Sequence, residues 1–565
     1  MADIPHTKRQ GSKQTAATIA KWTRHIIFPV AAYIMLLLNS DYLYEVQEHD
    51  LFIGTRQFMA DMLATPGGLW SLAGSYLTQF FYHPWLGALM LVAIWTATYA
   101  LLISTFRLKG IQQLFAWIPI CALQISVLDI GYWLYYLQMP GYWFSQSLSF
   151  LAATLLTWIA TTIIRHWWKH DISWALFIAA YFATGQQFPE FAKATESDPH
   201  LQIPFIIAPA AAVLLPLCRY IHIPHPATIK ESISTFAALI IFCSTIHYFT
   251  FGDYNFHAEL RMMRAIDNCQ WDKVLAEAQK AGHPTNLMVV YKNIALLHTG
   301  RLTDMFRINN CGTQPNSGDS LSVSIAHQDG AMVYYQFGQL NYAYRWAMEN
   351  AVEYGLKAKT LKMYVRCAIM NKEFDLAAKY LTLLHKTTFH RNWAHQRDPM
   401  LLHADALYNS DEYQAISPLL NDDVNNLGMD RSMPEKWLLT HFSDIIRANT
   451  PKLEELIMCT ALWTEDEYAF CIHFYNYVNN HPHTAIPEVY QQAAMMLGTA
   501  ESSPITLNDF PFDPSITARY NSFKNIFSTL SAQNMDMAAI GQKMRHDYGD
   551  TYWWYYYFYT DFKIY

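Results

Sequence analysis

The chain has 565 residues, of which 52% are hydrophobic and 15% are charged, and its formal net charge at pH 7 is −7. This length allows two or three domains, and the acidic balance argues against nucleic-acid binding, which needs strongly basic surfaces. The eight cysteines form no Cys-x-x-Cys pair, so neither a disulfide framework nor a zinc knuckle is indicated.

Charge is distributed unevenly along the chain and changes near Thr250. Uncharged runs of 45, 35, 18, 20 and 21 residues occupy the first part, whereas charged residues occur every few positions after Asp253. A charged side chain at the centre of a bilayer costs about 2.5 to 3.5 kcal/mol on insertion scales, so such runs are typical of a multi-span helical membrane protein. We therefore predict an all-α protein with a transmembrane domain over residues 1–252.

The first apolar run, Ile26 to Leu38, follows five basic residues but lacks the small residues of a cleavage site after it, so we expect it to remain as a membrane span. A spanning helix needs about 20 mostly apolar residues. Seven segments meet this requirement: approximately Arg24 to Tyr44, Trp85 to Phe106, Gln112 to Tyr135, Ser147 to Ile164, Ile172 to Gln187, Pro204 to Tyr220 and Glu231 to Phe251.

The distribution of Lys and Arg between these spans predicts their orientation. With the N-terminus in the cytoplasm, 11 basic residues lie in cytoplasmic segments and two, Arg56 and Lys193, lie in outer loops. Basic residues are retained on the cytoplasmic side of short loops. In a bacterium, this pattern predicts an inner-membrane protein whose C-terminal part lies in the periplasm.

The outer loop between the first two spans, residues 41–84, is too long for a simple connector. Its first part is acidic, and its second part is apolar and is interrupted at Thr65-Pro66-Gly67-Gly68. We predict a helix, a turn and then an interfacial or re-entrant helix that ends in aromatic residues at headgroup depth. The acidic residues that we consider as candidate site residues are Asp41, Glu45, Glu48 and Asp50.

Apart from Asp41 and Glu231, which lie near the ends of their spans, Asp129 is the only acidic residue inside a predicted span. Because a carboxylate in lipid is costly, it is expected to face the bundle interior, where it could bind a polar ligand or relay protons. The alternatives are a structural hydrogen bond to a neighbouring helix or a position near the outer headgroups.

The part after residue 253 carries a recurring turn that precedes an apolar or alanine-bearing helix. Aligned on the aromatic residue or leucine, the copies are 31, 38, 34 and 39 residues apart. This resembles a divergent tetratricopeptide array, in which each helix pair occupies about 34 residues and stacks on its neighbours as an α-solenoid. We therefore expect a helical-repeat domain over residues 253–433. The five turns are Asn268-Cys269-Gln270-Trp271-Asp272, Thr299-Gly300-Arg301-Leu302-Thr303, Phe337-Gly338-Gln339-Leu340-Asn341, Asn371-Lys372-Glu373-Phe374-Asp375 and Ser410-Asp411-Glu412-Tyr413-Gln414.

Residues 434–565 continue the helical pattern in a less regular form, and several prolines break it into shorter pieces. The chain ends in a strongly aromatic stretch from Tyr552 to Tyr559. We expect this stretch to pack as a capping helix, and the alternative is docking on the bilayer surface, since amphipathic aromatic side chains favour both places.

The segments from Pro66 to Gly87 and from Asp550 to Trp553 resemble uncharacterised polytopic envelope proteins of Bacteroidetes. That resemblance brings no known activity. In topology the chain is also similar to GT-C membrane glycosyltransferases, which implies a catalytic acidic residue in the first outer loop and a polyprenyl-linked sugar as donor. Under this reading Asp41, Glu45, Glu48 or Asp50 would deprotonate an acceptor hydroxyl, although no second Asp-bearing motif appears in the later outer loops.

Three histidine clusters, 222/225, 385/390/395 and 481/483, lack the i, i+4 spacing and the accompanying carboxylate of a helical zinc site, so no metal and no other cofactor is predicted. The favoured hypothesis is an inner-membrane protein whose periplasmic array binds a protein or envelope-polymer partner. A glycosyltransferase is the alternative, and transport is a third hypothesis.

Overall fold

The computed structural model describes residues 25–164, 172–184, 203–220, 228–307, 324–421, 448–499, 505–507 and 510–558. Within these ranges the chain is all-helical, with 80% helix and no strand. The helical fold class predicted from the sequence is therefore confirmed. The seven-span bundle and the solenoid stay predictions.

The chain divides into two compact units. The first contains Met1–Asp253, Tyr354–Leu361 and Leu381–Gln396, and the second contains Tyr254–Glu353, Lys362–Tyr380 and Arg397–Tyr565. The two short later segments of the first unit have no counterpart in the domain prediction. The helices up to residue 253 are His25–Leu37, Ser40–Glu48, Arg56–Leu63, Gly68–Thr78, Pro84–Phe106, Trp117–Leu128, Tyr142–Ile164, Ser173–Thr184, Ala208–Leu214 and Thr228–Phe249, with 3-10 turns at Gln79–Tyr82, Gly110–Ala116, Gly131–Tyr135 and Leu215–Tyr220 and a π turn at Ile203–Ile207.

Several of these helices are long and apolar enough to cross a membrane. Five pass this test by length and composition, and a sixth is possible if the helices His25–Leu37 and Ser40–Glu48, which meet at 69°, form one broken span. The predicted fifth span corresponds to the shorter helix Ser173–Thr184. The five are Pro84–Phe106, Gly110–Leu128, Tyr142–Ile164, Ile203–Tyr220 and Ser232–Phe249.

The predicted orientation rests partly on charges outside the described residues. These are the N-terminal tail, Arg165, Lys169 and Lys193, and the side chain of Lys230 is also outside them. The orientation therefore stays a prediction.

The third predicted span ends earlier than expected. Its helix stops at Leu128, and Asp129 is the residue that follows it rather than a residue inside it. Gly131 has φ +52°, and a Cβ atom there would lie 2.5 Å from Cγ of Phe251. The backbone N–H of Phe251 donates to the carbonyl of Leu128 at 3.0 Å, which satisfies one of the acceptors that the helix end leaves open. Asp129 is therefore the residue that caps the helix end, and its position relative to the membrane stays a prediction.

The segment 41–84, which we call the outer loop after its predicted position, contains the helices Ser40–Glu48, Arg56–Leu63 and Gly68–Thr78, with a turn before the third helix. The helix Gly68–Thr78 begins within the predicted break at Thr65-Pro66-Gly67-Gly68, directly after Gly67, whose φ is +72°. The helix Gly68–Thr78 packs closely on Tyr142–Ile164. A Cβ atom on Gly74 would lie 2.3 Å from the carbonyl oxygen of Gly141, the residue before that helix. The loop is thus packed into the first unit at a glycine crossing.

The second unit is built from helices joined by a repeated turn. Four residues adopt the left-handed conformation at the turns predicted from the sequence: Cys269, Gly300, Gly338 and Lys372 have φ values of 53°, 69°, 79° and 61°. In each turn the next backbone N–H donates to a carbonyl five residues earlier, at 2.8 to 2.9 Å. This is the Schellman arrangement that ends a helix. The next helical segment starts two residues after the left-handed residue, at Trp271, Leu302, Leu340 and Phe374.

The fifth predicted turn differs from these four. Ser410 has φ −74°, and its hydroxyl caps the helix Asp411–Ile416 by accepting from the N–H of Tyr413 at 3.2 Å. A further turn of the Schellman type occurs instead at Glu465, where φ is +57° and the N–H of Asp466 donates to the carbonyl of Ala461 at 2.9 Å. The sequence pattern missed this turn because Glu467, two positions later, is neither aromatic nor leucine.

Replacing Gly338 with alanine should destabilise the second unit more than the same replacement at Gly300. Both positions have positive φ, where an L-residue loses about 1 to 2 kcal/mol. Only at Gly338 would the new Cβ also meet a neighbour, the Cβ and carbonyl oxygen of Leu419 at 2.8 Å, whereas nothing lies within 4 Å at Gly300. Amide hydrogen exchange in the helix before each turn measures the two losses, and equal losses would contradict the prediction.

The aromatic C-terminal helix is buried within the second unit. Trp553 is fully buried and packs 5.1 Å from Tyr520 between ring centroids, and the hydroxyl of Tyr552 donates to the carbonyl of Leu462 at 3.0 Å. Packing within the helical unit, rather than on a bilayer, therefore accounts for these rings.

The remaining helices are Tyr254–Asp267, Trp271–Lys280, Asn286–His298, Ile325–Gln336, Leu340–Tyr354, Ala358–Met370, Phe374–Leu384, Arg391–His395, Asp398–Leu402, Ala404–Tyr408, Asp411–Ile416, Pro451–Trp463, Glu467–Asn480, Glu488–Gly498, Pro514–Ala532, Met537–Tyr548 and Tyr552–Phe558.

Candidate functional site: a buried charged cluster in the outer loop

Three of the four candidate residues of the acidic loop lie on one short helix. Asp41, Glu45 and Glu48 belong to Ser40–Glu48, and Asp50 follows it. Spacings of three and four residues place neighbouring carboxylates on one helical face. Among these four carboxylates, Glu45 forms an ion pair with Lys359 at 3.2 Å.

Glu45 begins a row of charged and polar contacts within the first unit. Its Oε1 lies 3.2 Å from Nε2 of His49 and 3.2 Å from Nζ of Lys359. The other ring nitrogen of His49, Nδ1, lies 3.2 Å from Nζ of Lys357, which also approaches the carbonyl oxygen of Tyr135 at 3.4 Å. The result is a carboxylate–imidazole–ammonium row with a second ammonium on the carboxylate. We call these four side chains, Glu45, His49, Lys357 and Lys359, the loop cluster.

Burial determines the protonation of the loop cluster. The His49 side chain is 6% exposed, and burial together with the nearby charge of Lys357 lowers its pKa to about 4. A neutral imidazole at pH 7 then donates from Nε2 to Glu45 and accepts at Nδ1 from the ammonium of Lys357. Burial and the charge of Lys359 lower the pKa of Lys357 to about 8, so Lys357 still carries its proton at neutral pH.

Asp50 sits in a different environment from Glu45. Its Oδ1 accepts from the hydroxyl of Ser75 at 2.9 Å and from the N–H of Leu51 at 2.8 Å, and its Oδ2 accepts from the N–H of Gly141 at 2.9 Å. Burial raises its pKa to about 6 despite these donors. Asp50 therefore connects the outer loop to the start of the Tyr142–Ile164 helix, next to the glycine crossing.

The other predicted site residues make more local contacts. Oδ1 of Asp41 accepts from the N–H of Tyr42 at 2.9 Å, and Oε1 of Glu48 accepts from the amide of Gln47 at 2.8 Å. Asp129 is 7% exposed and follows the helix end at Leu128. The structure thus brings Glu45 into a charged cluster with two lysines that lie far away in the sequence.

Each member of the loop cluster is a hydrogen-bond partner of the next. Both ring nitrogens of His49 are engaged by protein groups, so the imidazole has no free position for a metal or cofactor. Sequence reasoning missed Lys357 and Lys359, which lie more than 300 residues along the chain from their partners. No local pattern could have identified that pairing.

The histidine clusters gave one further correction. His385 and His395 have ring centroids 4.4 Å apart, because a helix ends at Leu384 and another, Arg391–His395, brings the second ring back. Reasoning from a single helical face excluded this approach wrongly. His481 pairs instead with Glu454 at 2.8 Å, and His222 and His225 lie outside the described residues.

Comparisons with known proteins give a family without a known activity. No curated protein and no solved structure matches the chain. One family model, described as a family of unknown function (DUF6057), matches residues 16–559, which is nearly the whole sequence. The chain therefore belongs to the DUF6057 family.

Proposed function

We propose that the protein is an inner-membrane protein whose second unit is a periplasmic helical scaffold that binds a protein or an envelope polymer. The observation that supports this most is the repeated turn. Four helices, which end at Asp267, His298, Gln336 and Met370, are followed by the same left-handed turn, at intervals close to those of tetratricopeptide pairs. Helix pairs joined in this way stack and form extended binding surfaces.

The contacts of the loop carboxylates agree with an anchoring role for the first unit. Asp50 bridges the outer loop and the Tyr142–Ile164 helix, and Glu45 is engaged by His49 and Lys359. Because both oxygens of Asp50 already accept hydrogen bonds from protein groups, its contacts have a structural explanation. We therefore do not advance the glycosyltransferase alternative as a second proposal.

The second unit exposes apolar side chains that a partner would cover. Met348 and Val352, one helical turn apart on Leu340–Tyr354, are 53% and 80% exposed. On Glu467–Asn480, Tyr468 is 75% exposed and Ile472 is 41% exposed. Tyrosine and methionine are enriched in protein interfaces, so these two pairs are the positions at which contact is best sought.

A photo-crosslinking amino acid at Val352 or Tyr468 of the full-length protein, expressed in its native cells, should give a discrete larger adduct. The matched control is the same amino acid at Asn525, an exposed position on Pro514–Ala532. Protease treatment distinguishes a protein partner from a polymer. Adducts absent at both positions, or equally abundant at Asn525, would overturn the proposal. A periplasm-active reporter after Tyr565 tests the location separately.

A further inference from the structure

An apolar cavity of about 740 Å³ lies within the first unit. Its walls come from Phe28 of the first helix, from the segment Gly110–Leu128, from the π turn Ile203–Ile207 and from the helix Thr228–Phe249. Two of these walls are complete candidate spans, and the π turn begins a third. The cavity volume is in the usual range of small-molecule sites, about 300 to 1,000 Å³.

The lining is suited to hydrocarbon. Isoleucine, leucine, alanine and aromatic rings provide nearly all of it, and the polar side-chain groups among its described lining residues are the hydroxyls of Ser234 and Thr245, the thiol of Cys121 and the indole N–H of Trp117. No charged side chain is among the lining residues that the structure describes. Such a wall offers no ion pair to a phosphate or a sugar.

The helix Thr228–Phe249, which forms the fourth wall, contains the least buried of the five candidate spans. Only 17% of the window Ser232–Phe249 is buried, and Ile241, which lines the cavity, is 66% exposed. A helix with this composition in a spanning position has lipid as its solvent. The cavity is therefore open towards that solvent, and apolar matter from the bilayer is what can enter it.

We propose that this cavity is a binding site for one acyl chain of a membrane phospholipid. An acyl chain that fills the cavity makes van der Waals contacts with apolar walls that would otherwise face a void. These contacts include the rings of Phe28, Trp117 and Phe242. A polyprenyl phosphate fits less well, because its phosphate needs a cation and none is among the lining residues within the described ranges. A second copy of the protein would have to insert its side chains into this cavity, whose volume suits a flexible acyl chain better.

The test uses the full-length protein in bilayers of phosphatidylethanolamine and phosphatidylglycerol that contain a phospholipid with a diazirine near the end of one acyl chain. After illumination, mass spectrometry should find the label on Ile118 and Cys121 and on the facing residue Ala238. Ala238→Trp should abolish labelling of Ile118 and Cys121 by filling the cavity. Ala122→Phe fills it from the opposite wall and should do the same.

Ile240→Trp is the matched control, because Ile240 is on the same helix and 51% exposed but does not line the cavity. It should leave the labelling unchanged, and thermal unfolding must show that all variants used are folded. Undiminished labelling in both filled variants would overturn the proposal. Preferential labelling by a polyprenyl phosphate probe, or crosslinks between two copies at these residues, would also overturn it.

Discussion

Replacing Arg366 with methionine should cost the second unit about 3 to 5 kcal/mol of stability, the usual loss when one partner of a buried ion pair is removed. Arg366 is 4% exposed, and its guanidinium lies 2.7 Å from Asp267 and 2.6 Å from Glu412. A second guanidinium, of Arg397, lies 2.9 Å from Glu412. The variant keeps two carboxylates but only one of the two cations.

The loss should depend on pH. Burial opposes ionisation of Glu412, but Arg366 and Arg397 outweigh it and hold the pKa of Glu412 below its usual range. A carboxyl whose pKa is lower in the folded state than in the unfolded state stabilises the fold at pH values above the unfolded-state pKa. This stabilisation is lost as pH falls through the folded-state pKa. Without Arg366 the pKa of Glu412 rises, so the variant should be least stable relative to the wild type at neutral pH. The difference should narrow as acid protonates the carboxylate.

Hydrogen exchange of the helix Ala358–Met370 in the full-length protein measures this loss. The control is Arg345→Met, which removes an exposed pair with Glu349, at 2.8 Å and one helical turn away. Exposed pairs of this kind contribute about 0.3 to 0.5 kcal/mol. Similar losses in the two variants would contradict the prediction.

Glu45→Gln should destabilise the first unit by a similar amount, about 3 to 5 kcal/mol, because it removes the carboxylate from the loop cluster. Lys359 loses its ion pair, and Lys357 keeps its charge without the carboxylate beyond His49. Hydrogen exchange of Ser40–Glu48 in the full-length protein reports the loss. Asp61→Asn, at an exposed carboxylate of the same loop, is the control and should change stability by no more than about 0.5 kcal/mol.

This second loss should shrink in alkali. The pKa of Lys357 is lowered to about 8, and the variant removes an anion that raises it. A lysine whose pKa is lowered in the folded state destabilises the fold at pH values where it is protonated in both the folded and the unfolded state. This penalty disappears as pH rises from the folded-state pKa towards the unfolded-state pKa. The deficit should therefore be full at pH 7 and smaller at pH 9 to 10. A deficit that is independent of pH would exclude Lys357 as its cause.

The positions at which helices begin were largely predictable. Trp271, Leu340 and Phe374, on which the turns were aligned, are the first residues of their helices. These starts depend on a few neighbouring residues, since the left-handed turn and its bond involve six consecutive residues. Glycine marked two of the turns, whereas Glu465 adopted the same conformation without a marker.

Hydropathy located the membrane-capable helices but not their ends. The third span stops at Leu128, where Phe251 packs against Gly131 and bonds the open carbonyl. Because Phe251 is distant in sequence, no window around Asp129 contains the reason for that stop.

The sequence by itself determined the helical class, the apolar first part and most of the turns of the second part. Hydropathy and backbone preference are properties of consecutive residues, so they can be read from the chain. Only the tertiary structure decided which charges meet: Glu45 with Lys359, 314 positions away, and Arg366 with Asp267, 99 positions away. A buried charge needs a partner, but the path of the backbone decides which partner arrives, and that path depends on the packing of the whole unit.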